Sequence, residues 1–115
     1  MKDQMRLGTE IEPERGAASA SPRAEVLWFA QEMEGKLRAN DHKGHWDGCR
    51  FDYLSRRLAE ESEELNKAIL ASSGQITLTR AEADRIIHEA ADVANFAMMI
   101  ADNAKRLRGG GDTER

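Results

Sequence analysis

The nine positions from Val93 to Ala101 carry a single polar residue, Asn95, and this run constrains the fold more than any other feature. It lies inside a stretch from Thr79 to Arg108 that contains neither glycine nor proline. Thr79 followed three residues later by Glu82 is a capping box, which marks the start of a helix. Ile86, Ala90, Val93, Ala97, Ile100, Ala104 and Leu107 then recur as a heptad seam. A helix that is apolar on every side must be buried on every side. Two shorter neighbours cannot enclose it, so a second copy of the chain is expected to cover the remainder.

Two further helical segments precede it. The first is expected from about Pro22 to Ala39, with Ser21 as cap and Pro22 in the first helical position. Val26, Ala30, Met33 and Leu37 form its stripe, widened by Leu27 and Phe29. The second is expected from about Asp52 to Ala71 on a stripe of Leu54, Leu58, Leu65 and Ile69, with Tyr53 and Ala68 beside it. A loop holding Gly44 and Gly48 separates the two. The expected fold is therefore an all-α, oligomeric helical bundle over residues 21–108. Residues 1–20 and 109–115, rich in small and polar residues, are expected to be flexible tails.

Composition removes several function classes. The formal net charge of -4 argues against a nucleic-acid binder that relies on phosphate neutralisation. Cys49 is the only cysteine, so there is no intramolecular disulfide and no CxxC pair for zinc. No apolar run approaches the ~20 residues of a membrane span. A soluble protein of the reducing cytoplasm, with no membrane partner, is expected.

The acids stand out by position. Glu61 lies three residues after Leu58 and four before Leu65, where the stripe calls for an apolar residue. Glu64 shares its face, and on the third helix Glu89 and Asp92 share another, continued by Phe96 and Met99. Both pairs point towards a core or cleft. Carboxylates gathered there repel one another unless a cation holds them. Oxygen-only ligands with no soft sulfur point to Mg²⁺, with Mn²⁺ as a substitute, and such a site commonly works together with a substrate phosphate.

The ordered pair Glu60-Glu61-Ser62-Glu63-Glu64-Leu65 and Glu89-Ala90-Ala91-Asp92-Val93 resembles the EExxE and ExxD motifs of the MazG-like nucleoside triphosphate pyrophosphohydrolases. The resemblance covers about Ala24 to Arg108. It implies an all-α oligomer, dimer or tetramer, that cleaves nucleoside triphosphates to the monophosphate and pyrophosphate. It implies that Glu61, Glu64, Glu89 and Asp92 ligate Mg²⁺, that Glu61 and Glu64 are catalytic, and that Glu60 binds a further ion or orients water. Two departures stand out: a linker longer than that of the shortest members, carrying Gly74, and Glu63, where a glycine is often found.

The loop Asn40-Asp41-His42-Lys43-Gly44-His45-Trp46 is similar to an Asn-x-x-Lys-x-x-Trp element of small, phage-type members. This resemblance implies a base stacked on Trp46, a phosphate met by Lys43, and deoxynucleotides such as dGTP or dATP as substrates. Asn95, one turn past Asp92, is a candidate sugar or metal-shell contact, and Lys105 a candidate substrate contact. Two alternatives stand beside this reading. One is a phosphoribosyl-ATP pyrophosphohydrolase-like enzyme; the other is a non-catalytic helical interaction module whose acids are merely surface. His88-Glu89-Ala90-Ala91-Asp92 looks like a zincin motif with aspartate for the second histidine, but no third ligand follows.

Overall fold

The computed structural model describes residues 20–74 and 76–112, with side chains up to Arg108. The expected N-terminal tail lies outside the described residues apart from Ala20, as do 113–115 of the expected C-terminal tail. The described residues form three α-helices and no strand: α1 (Ala24–Ala39), α2 (Phe51–Ala71) and α3 (Arg80–Asp112), with a short 3₁₀ turn at Asp41–Lys43. The all-α expectation holds.

The capping box at the start of α3 is formed. The Glu82 N–H donates to Thr79 Oγ1 at 3.1 Å, and the Thr79 N–H donates to Glu82 Oε1 at 3.0 Å. Glu82 also accepts from the Ser73 N–H and Ser73 hydroxyl, which ties the end of α2 to the start of α3. Two helix ends differ from expectation. Ser21 does not cap α1; the N-cap is Arg23, whose carbonyl accepts the first helical N–H groups, with no side-chain cap. Arg23 is itself extended, at φ −63° and ψ 159°, so the helix begins only after it. At the other end, α3 runs through Gly109-Gly110-Gly111 to Asp112 rather than stopping near Arg108. Glycine costs only about 1 kcal/mol per helical position, and nothing there removes a backbone donor as proline would.

Both shorter helices lie antiparallel to α3. Met33 faces Asn95 and, one turn on, Lys36 faces Asp92. On the other side Arg57 faces Phe96, and Glu61 stands by Asp92 and Glu89. α1 and α2 do not pack on each other, so α3 is the middle of an open layer. Its core is thin: Leu54, Ala68 and Ala91 are its buried apolar side chains. The heptad seam is not what the monomer buries. Ala97, Ala104 and Leu107 are exposed, while Ala91, Asn95 and Asn103, spaced in multiples of four, go deepest. Two flanking helices select the groove facing both of them, and the rest of the apolar circumference stays outside.

Candidate metal centre

Three of the predicted acids converge. One carboxylate oxygen from each of Glu61, Glu89 and Asp92 lies within 4.8 Å of the others. α2 presents Glu61 here because its stripe faces α3, and the Glu61 side chain is only 16% exposed. α3 presents Glu89 and Asp92 from one face, three residues apart.

The remaining acids stay outside. Glu64, one turn beyond Glu61, turns to Lys67 at 3.6 Å with nearly half its side chain exposed. Glu60 is exposed and bonded to Arg57. The Lys67 ammonium and repulsion from the neighbouring carboxylates both favour that outward position for Glu64.

Two cations that sequence reasoning missed occupy the cluster instead. Lys36 Nζ is 3.3 Å from Asp92 Oδ2, and Arg57 Nη2 is 2.9 Å from Glu61 Oε2. Arg57 also stacks over the Phe96 ring, 4.9 Å from its centroid. Glu60 and then Glu61 hold the Arg57 guanidinium above its ordinary pKa. Arg57 precedes Glu61 by four residues, a spacing that suggests the pair; Lys36 left no such signal, because its partner lies on another helix. The candidate donor set is all oxygen and part-buried, the chemistry that a hard divalent cation prefers, and Lys36 and Arg57 offset two of its three negative charges.

A cleft of about 330 Å³ opens beside the cluster. Lys36, Lys43, Trp46, Tyr53 and Arg57 line it together with Glu61, Asp92, Asn95 and Phe96. Gly44, at φ 95°, turns the chain so that the loop borders the cleft. Trp46 is fixed there by its backbone and its ring. Its Nε1–H donates to Asp102 Oδ2 at 3.0 Å, and its carbonyl accepts from the buried Asn103 amide at 3.0 Å. His45 stacks on the indole at 4.0 Å between centroids. Asn103, Asp102 and Arg106 of α3 therefore hold the loop in place, a role the sequence did not reveal. The Trp46 N–H, and then Arg106 and Lys105, hold the Asp102 carboxyl below its usual pKa.

Lys43, Trp46 and Asn95, the candidate substrate contacts, border the cleft. Lys105 does not: it is exposed and pairs with Asp102 at 3.8 Å. Asn95 is buried, and its Nδ2 donates to the Met33 carbonyl at 3.1 Å. No helix among the described residues is long and apolar enough to cross a membrane. No family model, curated protein or solved structure matches this chain.

Proposed function

We propose that the protein is a Mg²⁺-dependent nucleoside triphosphate pyrophosphohydrolase that cleaves between the α and β phosphates. The observation that carries this reading is the convergence of Glu61, Glu89 and Asp92 beside a cleft lined by three cations and an indole. The motif resemblance supports it, since these three are among the five acids that match the EExxE and ExxD pattern. Glu61, Glu89 and Asp92 would hold the metal, with Glu64 one turn away as the side chain able to swing in as a further ligand.

When bound, Mg²⁺ would supply positive charge that offsets the charge building up on the triphosphate. The chain's own groups do the rest. Lys36 and Arg57, freed from Asp92 and Glu61, have phosphate oxygens as their next partners, and Lys43 lies on the same wall. Trp46 and Tyr53 give apolar surface for a base or sugar. A carboxylate left with a free oxygen can hold and orient water for in-line attack.

The working form is a homo-oligomer, a dimer or a tetramer. The exposure of Val26, Leu27 and Trp28, each about half open, together with the uncovered sides of α3, supports this.

The test is incubation with each NTP and dNTP and Mg²⁺, with products read by mass and phosphorus NMR. Monophosphate and pyrophosphate are expected, with deoxynucleotides such as dGTP or dATP preferred. Diphosphate and orthophosphate as the only products would overturn the reading.

A further inference from the structure

We propose that Oδ1 of Asn95 is the acceptor for a hydroxyl of the nucleotide's pentose, an inference that rests on the hydrolase reading above. Asn95 is only 4% exposed, yet its Oδ1 has no hydrogen-bond partner among the described residues. Its orientation is determined. The Met33 carbonyl can only accept, so the amide nitrogen must face it, and the oxygen is left over. A buried acceptor without a partner is costly, and one kept in a cleft wall calls for a donor from outside the chain.

Position selects the donor. Asn95 lines the same cleft as Glu61 and Asp92. It lies one turn of α3, about 5 Å, beyond Asp92. A nucleotide anchored by its phosphates at the carboxylates presents its pentose next and its base further out. A pentose hydroxyl is a donor at that distance. Oδ1 is shielded from bulk water. Lys36, one turn along α1 from Met33, is the side chain released once its partner Asp92 takes a metal.

The test uses the full chain with Mg²⁺ and four triphosphates of one base: ribo, 2′-deoxy, 3′-deoxy and 2′,3′-dideoxy. Turnover is measured on these, and affinity by calorimetry on their α,β-methylene analogues. Loss of the 3′ hydroxyl is expected to lower both affinity and kcat/KM by about 10- to 100-fold, and loss of the 2′ hydroxyl is not. Asn95→Leu is expected to treat all four sugars alike. Equal handling of the four by the wild-type chain overturns the proposal and leaves the hydrolase reading standing, provided cleavage is still at the α–β bond. A variant that keeps the sugar discrimination and changes base preference also overturns it. Absence of both cleavage and affinity for every triphosphate overturns the two readings together. Should Asn95→Leu fail to fold, the wild-type series alone decides.

Discussion

Lys36 Nζ stands 3.3 Å from Asp92 Oδ2, bridging α1 to α3 at the level of the acid cluster. The ammonium occupies a carboxylate that the proposed metal needs, so the two compete. Both side chains are about a third exposed or less, which limits the bridge to about 1 kcal/mol. Lys36→Met is expected to tighten Mn²⁺ binding by roughly 3- to 5-fold, read by titration with paramagnetic detection. It is expected to lower turnover at the same time, if Lys36 moves to phosphate. Weaker Mn²⁺ binding by the variant would refute the competition.

Glu89 is the acid of the cluster with no ion pair among the described residues. Glu89→Gln therefore removes repulsion and sacrifices no bridge. The metal-free variant is expected to be as stable as the parent or up to ~0.5 kcal/mol more stable. Stabilisation by Mg²⁺ is expected to disappear, and activity with it. Denaturant melts with and without Mg²⁺ check this; a metal response equal to the parent's would remove Glu89 from the centre.

Asp102 sets a pH dependence for the Trp46 loop. Its folded-state pKa is depressed, chiefly by the Trp46 N–H and then by Arg106 and Lys105. The stability it adds is therefore complete above the unfolded carboxylate pKa and is lost as pH falls through the lower folded value. In a Trp28→Phe background, where Trp46 is the only tryptophan, its fluorescence is expected to shift on that acidic limb. Asp102→Ala is expected to show the loosened signal already at neutral pH. A variant indistinguishable from the parent at neutral pH would contradict the anchor.

Trp28 is 47% exposed, between Leu27 at 48% and the half-buried Phe29. A second copy is the expected cover for this end of α1. Light scattering is expected to give a dimer or tetramer at micromolar concentration. Trp28→Glu or Met98→Glu is expected to dissociate it, since a charge would be buried without a partner. A stable wild-type monomer would count against the oligomer and leave the site to be built within one chain.

Thr79→Ala removes the acceptor for the Glu82 N–H and is expected to cost about 1 kcal/mol in denaturant melts. Glu82, held below its usual pKa by the Thr79 N–H and then Ser73, ties this cap to the end of α2. The loss in Thr79→Ala and the loss in Glu82→Ala should therefore fall short of additivity in the double variant.

What the residues alone determined is local. The helical period placed all three helices, the Thr79–Glu82 box marked the start of α3, and the break in the α2 stripe at Glu61 pointed one acid inward. Each depends on neighbours three or four positions away, which a sequence displays directly. The pairing of Glu61 with Glu89 and Asp92 was legible for the same reason, as two faces aimed at a common interior.

The tertiary structure decided which faces meet. The heptad seam suggested one buried stripe for α3, but the row through Ala91, Asn95 and Asn103 became the deepest, because α1 and α2 close on that side only. The antiparallel crossing of α1 brought Lys36 to Asp92 and Met33 to Asn95, partners more than fifty residues apart in the chain. Asp102 and Asn103 fastened the Trp46 loop to α3. Periodicity tells which residues share a face; only the packing of one helix on another tells what that face will touch.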